Sequence, residues 1–282
     1  MCVAAAPARF SHTIVYAGEA RRDGSIVHVL GYENTAQNRI GPRRWFAPWR
    51  SSTVGNAMLL HFPATPGSMS QANAVDTESC PHILSDMVRA LFPPVASVNF
   101  AQALPVDATA EVFDSGIYTV VLASDASAIP DALQRVPGAK RPAANDELFA
   151  WYSRHFAGWP VALCCFDNRD AHHATPMLWW YEPRFPELLF APAIDAHTGG
   201  LPDLDASVDV DHRVVLGTID GDGGMPVRYS DPLDDDVGSL LPERVVGADF
   251  AGSRLPNGDF VTAVESIRRG SPRIERRVLG VA

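Results

Sequence analysis

Runs of β-branched and apolar residues near the start of the chain predict three strands. His12 to Ala17 and Ile26 to Tyr32 flank Arg21-Arg22-Asp23-Gly24-Ser25, whose Asp-Gly pair is typical of a hairpin turn. Ala57 to Phe62 is a third run, and Pro63 ends it. The N-terminal part of the chain is therefore predicted to be a β-hairpin followed by another strand.

Apolar residues at helical spacing predict three helices in the middle of the chain. The first has Ser79 as its cap, Pro81 in its first turn and Pro93-Pro94 at its end. The second spans Ser127 to Val136, and the third is capped by Asn145. The apolar faces of the first and third helices are Ile83, Leu84, Met87, Val88 and Leu91, and Leu148, Phe149, Tyr152 and Phe156.

The remaining apolar runs are short and predict strands. They are Ile117 to Ala123, Pro160 to Phe166, Met177 to Glu182, Glu187 to Phe190, Arg213 to Ile219 and Phe260 to Ile267. Strands near both ends, with helices between them, favour an α+β fold of mixed, mainly antiparallel sheets with a few short helices. No linker divides the chain, so we expect a single domain over 1–282, with an Arg/Trp-rich loop at 37–56 and a basic C-terminal segment at 268–282.

Composition and charge narrow the class of protein. The chain has 282 residues and a formal net charge of −10, which disfavours a nucleic-acid partner. Every basic residue except Lys140 is arginine, which we interpret as a bias of genome composition in a bacterial source. The first ten residues are unlike a signal peptide and no apolar run approaches the length of a membrane helix, so we expect a cytoplasmic protein without a membrane partner.

Charge is distributed unevenly over the C-terminal half. Ten aspartates and two arginines lie between Asp203 and Asp236, whereas five arginines and Glu275 lie between Arg268 and Arg277. These segments are either two solvated faces or surfaces that dock on each other, within the chain or between subunits of a homo-oligomer.

The second residue, Cys2, is the sharpest candidate for catalysis. Removal of Met1 by methionine aminopeptidase would leave one residue that carries both a thiol and a free α-amine. The amine, with an ordinary pKa near 8, can accept the thiol proton, so nucleophile and base come as one unit. The opposing interpretation is that Cys2 is an incidental second residue.

Two resemblances accompany this cysteine. Cys2, two following strands and Leu30-Gly31-Tyr32-Glu33-Asn34 resemble the opening of the choloylglycine-type N-terminal-nucleophile hydrolases, with Tyr32 and Glu33 where that family has arginine and asparagine. That resemblance implies amide hydrolysis by Cys2. The stretches 10–17, 27–36, 58–64, 118–136, 159–166 and 177–192 resemble an uncharacterised family of secreted bacterial proteins whose mature chain also begins at a cysteine.

Polar residues in the first third are candidate partners of Cys2. Asn34, Asn38, Asn56 and Asn73 are candidate oxyanion donors, and Asn34 and Asn56 are our catalytic choices beside Cys2. For substrate binding we choose Arg43 and Arg44, which suit a carboxylate or phosphate, and Trp45 and Trp49, which suit an apolar or aromatic group. The alternative is a surface loop without a ligand.

Other chemistries have weaker support. Asp195 and His197, with Asp209, Asp211 and His212, are residue types that bind divalent metals, but no metal-site spacing is present, so we predict neither a metal nor a cofactor. Asp220-Gly221-Asp222-Gly223 matches only the first half of a calcium loop. Cys80, predicted at a helix N-terminus that would lower its thiol pKa, is the second candidate nucleophile.

The sequence thus leaves two functions open. One is an N-terminal-cysteine hydrolase acting on a small amide or peptide. The other is a non-catalytic module, either an oligomeric scaffold or a binder of a small molecule or protein.

Overall fold

The computed structural model describes residues 3–38, 54–93, 111–167, 172–221 and 223–280. Its strands are β1 Val3–Ala4, β2 Ala8–Arg22, β3 Ser25–Asn38, β4 Asn56–His61, β5 Ala74–Val75, β6 Val112–Ser115, β7 Tyr118–Ala123, β8 Val161–Phe166, β9 His172–His173, β10 Met177–Tyr181, β11 Leu188–Ala191, β12 Ser207–Val210, β13 Arg213–Gly217, β14 Met225–Pro226, β15 Arg244–Asp249, β16 Ser253–Pro256, β17 Asp259–Ala263 and β18 Glu275–Arg277. Its α-helices are α1 Ile83–Leu91, α2 Ile129–Ala132, α3 Asp146–His155, α4 Asp235–Gly238 and α5 Val264–Arg268. Short 3-10 turns cover Gln71–Asn73, Ala126–Ala128 and Leu133–Arg135.

The predicted N-terminal hairpin is the longest strand pair of the fold. Arg22 pairs with Ser25 across Asp23 and Gly24, whose φ angles of 51° and 81° are those of a tight turn with a left-handed backbone. Both strands extend beyond their predicted bounds, and β3 runs through Gly31 and Asn34 without a turn. The segment that resembles a family turn is therefore the middle of a strand.

This hairpin is the centre of the larger sheet. The strand order is β14-β15-β13-β2-β3-β10-β5, with β9 pairing beside β10 on β3. All of these pairs are antiparallel except β13 with β2, where Gly217 pairs with Gly18 in parallel. The smaller sheet is antiparallel throughout and has the order β1-β4-β8-β7-β6.

The two sheets stack face to face between two layers of helices. The core between the sheets takes alternate residues of both, including Val15, Leu30, Met58, Val120, Cys164 and Trp179. The outer face of the smaller sheet packs on α2 and α3, through residues such as Leu59, Cys165, Ile129, Phe149 and Tyr152. The outer face of the larger sheet packs on α1 and α4, through Tyr16, Val29, Leu84, Met87 and Leu240. The predicted fold class of mixed, mainly antiparallel sheets with a few short helices is confirmed.

Several predicted boundaries need correction. Helix α1 begins at Ile83 rather than after Ser79, and His82 occupies its N-cap position without a side-chain capping bond. The apolar run from Phe260 to Ile267 divides into strand β17 and helix α5, because apolar spacing in a short run fits both structures. Asn145 caps α3 as predicted, accepting a hydrogen bond from the backbone N–H of Leu148. Among the described residues, no helix is long and apolar enough to cross a membrane.

Two buried tyrosines of this sandwich should respond oppositely to loss of the hydroxyl. Tyr16 Oη is buried and has no hydrogen-bond partner among the described residues, whereas Tyr118 Oη donates to Asn34 Oδ1 at 2.7 Å. Because an unpaired buried hydroxyl costs free energy, we expect Tyr16→Phe to stabilise the protein by about 1 kcal/mol and Tyr118→Phe to destabilise it by about 1 kcal/mol. Urea unfolding of both variants measures this, and destabilisation by both would contradict it.

Candidate active site

Residues 3–8 connect the smaller sheet to the larger sheet. Val3 and Ala4 pair with Leu59 and Met58 in the smaller sheet, and the chain joins the larger sheet at Ala8. On its other side, β1 is flanked by the segment 195–198. Val3 forms a parallel bridge with Ala196, and the backbone N–H groups of Ala4 and Ala8 donate to the carbonyls of Ala196 and His197.

The segment beside β1 carries two polar side chains that contact each other, Asp195 and His197. The segment 195–198 runs parallel to β1, and Asp195 comes one residue before the bridge between Ala196 and Val3. Asp195 therefore lies toward the N-terminal end of β1. His197 Nε2 is 3.0 Å from Asp195 Oδ1, and the two side chains are 23% and 18% exposed. Burial, with a smaller contribution from the negative charge of the neighbouring Asp211, raises the pKa of Asp195 to about 6. This carboxyl is therefore suited to exchange a proton close to neutral pH.

Asp211 and Thr13 complete the polar group. Thr13 Oγ1 donates to Asp211 Oδ2 at 3.0 Å, and Asp211 Oδ1 is 3.4 Å from Nδ1 of the buried His212. Burial would raise the pKa of Asp211, but the bond from Thr13 and the nearby His197 help to hold it below its ordinary value. Asp195, His197, Asp211, His212 and Thr13 are called the polar cluster below.

An irregularity in β2 accompanies the placement of Thr13. The pairing of β2 with β3 shifts register between Ser11 and Ile14, and His12 has a φ of 58°. A positive φ is uncommon for a residue with a side chain, and bulges of this kind redirect side chains next to active sites. Thr13 is thereby fully buried within a mainly apolar strand and reaches Asp211.

Buried side chains fix the segment that carries Asp195. Asp259 Oδ1 accepts from the backbone N–H groups of Ala193 and Ile194 at 2.8 and 3.2 Å. Asn257 Oδ1 accepts from the N–H of Asp195 at 2.8 Å, and its Nδ2 donates to the carbonyl of Asp195 at 3.0 Å. The polar cluster is therefore held from behind by strand β17 and the turn before it.

A cation lies behind the same segment. Arg276 donates to the carbonyl of Ala193 and packs its guanidinium 4.3 Å from the centre of the Phe260 ring. Burial lowers its pKa to about 10, while Asp259 and Asp195 oppose that effect. Arg276 stays protonated at neutral pH and favours the ionised form of Asp195.

The two predicted asparagines lie close to β1 in different environments. Asn56 Oδ1 accepts from the N–H groups of Ala6 and Ala57, and its Nδ2 donates to the carbonyl of Ala6 at 3.1 Å. These bonds use the Asn56 amide to hold the bend after β1. Asn34 accepts from Tyr118 and directs Nδ2 at the sulfur of Met58, 3.4 Å away, which is a weak acceptor. The oxyanion role of either asparagine stays a prediction.

The other predicted site residues lie outside the described part of the chain. They are Cys2, Arg43, Arg44, Trp45 and Trp49. Among the candidates for metal binding, Asp209 is exposed and pairs with Arg254, and its charge helps to raise the pKa of Asp195. Within the described ranges, no group of three or more acidic, histidine or cysteine side chains is arranged to hold a metal ion.

The thiol pKa of Cys80 is shifted in the direction opposite to the one predicted for a nucleophile. It lies before α1, fully buried, and burial raises its thiol pKa. Cys164 and Cys165 are also buried and form no disulfide, and they lie on opposite faces of β8. The prediction that a helix N-terminus lowers this pKa is wrong, because α1 begins three residues after Cys80.

Among the described residues, the ion pairs of the basic C-terminal segment join it to carboxylates outside the acidic segment. Arg268 pairs with the buried Glu19, Arg269 with Glu265, and Arg273 with Glu275. The ion pairs of Arg268, Arg269 and Arg273 therefore give no support to docking between Asp203–Asp236 and Arg268–Arg277 within the chain.

Comparison of the chain with protein-family models, with curated proteins and with solved structures finds no match. The polar cluster must therefore be interpreted from its own geometry. By residue type, the sequence indicates only a weak possibility of metal binding for Asp195, His197, Asp211 and His212, and it assigns no role to Thr13. The signal that could identify Thr13 is its position as a polar residue inside an apolar strand.

Proposed function

We propose that the protein is an amide hydrolase in which Cys2, exposed by removal of Met1, attacks a small amide or peptide. The observation that carries the proposal is the bridge between Val3 and Ala196, which sets Asp195 and His197 beside the strand that follows Cys2. A nucleophile at the start of a strand, next to groups that exchange protons, is the arrangement that such an enzyme needs.

The chemistry needs no cofactor. The α-amine of Cys2 takes the thiol proton, and the thiolate adds to the amide carbon to form a tetrahedral oxyanion. The C–N bond then breaks as the leaving amine receives a proton, which produces a thioester. Water hydrolyses the thioester and regenerates the thiol. Asp195, with a pKa of about 6, lies in the segment beside β1 and is suited to proton exchange in these steps.

We expect brief treatment with iodoacetamide at neutral pH to label Cys2 before any other cysteine. The described thiols form a slow background because Cys80, Cys164 and Cys165 are buried, and burial raises the pKa of Cys80 and Cys165. Intact mass before and after labelling, with peptide mapping, reports both the loss of Met1 and the labelled position. We expect Cys2 to react about tenfold faster or more, which corresponds to a thiol pKa lowered by an adjacent amine.

Two variants sharpen the test. Asp195→Asn should remove an inflection near pH 6 from the labelling rate of Cys2, whereas Asp131→Asn, an exposed aspartate on α2, should leave it unchanged. Retention of Met1, or labelling of Cys2 no faster than of the buried thiols, would overturn the proposal and leave the non-catalytic module.

A further inference from the structure

A separate cavity opens where the parallel pair of strands in the larger sheet ends. Strand β13 stops at Gly217, while its partner β2 continues past Gly18 into the hairpin. The space left beside β2 is a cavity of about 470 Å³, a size that suits a small ligand. Its walls include Glu19, Thr218, Asp220, Leu241, Glu243 and Arg244, none of which belongs to the polar cluster.

Glu19 provides a buried negative charge in this cavity. Its side chain is 2% exposed, and both carboxylate oxygens accept from Nη2 of Arg268, at 3.0 and 2.9 Å. An ionised carboxylate has about four acceptor positions, so one donor atom leaves acceptor capacity unused. Burial raises the pKa of Glu19, and Arg268 opposes that effect.

Thr218 provides the second polar group. It is only 9% exposed, and its Oγ1 has no hydrogen-bond partner among the described residues. The hydroxyl points toward Gly221, another wall residue, where a Cβ atom would come within 2.5 Å of it. Since buried hydroxyls are normally paired, an unpaired one on a cavity wall indicates a missing partner.

Among the described residues that line the rim, there are two carboxylates and one cation. Asp220 and Glu243 are exposed carboxylates, and Arg21 reaches Asp220 only at 3.7 Å. Arg244 is the one cation among the wall residues, and its Nη2 donates to the carbonyl of Gly224 at 2.7 Å. Leu241 and Pro242 form an apolar side.

We propose that this cavity binds a small organic cation, in which a primary ammonium reaches Glu19 and Thr218 while a short apolar stem lies against Leu241 and Pro242. An ammonium has three donors, which matches an underused carboxylate and a hydroxyl that also accepts. The carboxylates at the rim attract such a ligand and disfavour anions.

The test is calorimetric titration of the full chain at neutral pH with propylamine as the probe. The neutral isostere 1-propanol and the anion propionate serve as matched ligands. We expect binding of propylamine, and binding of either comparison ligand to be weaker by about tenfold or more. Equal binding of propylamine and 1-propanol, or no heat from propylamine with the folded protein, would overturn the proposal.

Variants locate the bound ammonium. We expect Thr218→Val and Glu19→Gln each to weaken propylamine binding by about tenfold, and Glu243→Gln, at the exposed rim, to weaken it by about threefold. Asp205→Asn removes the same charge outside the cavity and should have no effect. Because Glu243→Gln leaves the buried Glu19–Arg268 pair intact, it remains informative if Glu19→Gln fails to fold. A loss with Asp205→Asn equal to that with Glu243→Gln would contradict a specific site.

Discussion

Asp259→Ala should lower the free energy of unfolding by about 3–5 kcal/mol, the largest effect that we expect from a single substitution. Asp259 is fully buried, accepts two backbone N–H bonds, and lies 3.1 Å from Nε2 of the buried His61. Its removal leaves those donors without their acceptor, and it removes a negative charge that stabilises the protonated form of the neighbouring Arg276. Urea unfolding at neutral pH measures the loss.

Two controls separate this effect from loss of charge alone. Asp259→Asn keeps an acceptor for the N–H groups of Ala193 and Ile194 and should recover part of the stability. Asp209→Ala removes an aspartate that is 84% exposed and should leave the urea midpoint nearly unchanged. If Asp259→Ala were as mild as Asp209→Ala, the segment that carries Asp195 would not depend on Asp259.

The second large effect is a loss of stability in mild acid through His28. Both ring nitrogens of His28 are buried, and neither meets full hydrogen-bond geometry with a described residue. Burial lowers its pKa to about 4, and the carbonyl of Pro186 offsets only part of this effect. As the pH falls from about 6.5 to 4, the unfolded chain binds a proton that the folded protein does not, so stability falls by about 3 kcal/mol.

His28→Leu should remove that dependence. We expect the difference in unfolding free energy between neutral pH and pH 4.5 to shrink by about 2 kcal/mol or more in this variant, measured by urea unfolding at both values. His173 is the comparison, because a hydrogen bond to Glu33 raises its pKa. His173 contributes stability that is present in acid and lost as the pH rises, so His173→Leu should change the dependence in the opposite sense. Equal slopes for wild type and His28→Leu would contradict the prediction.

Local signals explain which parts of the fold the sequence predicts. The hairpin follows from Asp23-Gly24, and the start of α3 from Asn145, because each structure depends on a few neighbouring residues. Strand β12 is missed by the sequence pattern because it is short and has exposed polar side chains between the apolar ones, and β15 because its six residues are mostly only partly buried. The parallel pairing of β2 with β13 joins residues about 200 positions apart, which no local pattern determines.

The sequence predicts the candidate site only in part, as it does the fold. The sequence marks Cys2 and a few histidines and aspartates by residue type, but it does not say which of them meet. Asp195 approaches β1 only because Val3 bridges to Ala196, and Thr13 reaches Asp211 only through the irregularity at His12. Asn56 is conspicuous in the sequence, yet its contacts are those of a clamp on the bend after β1.

The contacts of β1 have a consequence for the order of folding. Residues 3–8 are held by partners near positions 57 and 196, so the strand gains its full set of neighbours only after most of the chain has been synthesised. Contacts so distant in sequence form slowly, because the intervening chain must first be ordered. The hairpin of β2 and β3, by contrast, can form soon after it leaves the ribosome. Under the function proposed above, the thiol of Cys2 lacks its proton-exchanging neighbours until residues 195–198 have folded beside β1, so the nascent protein stays inactive until then.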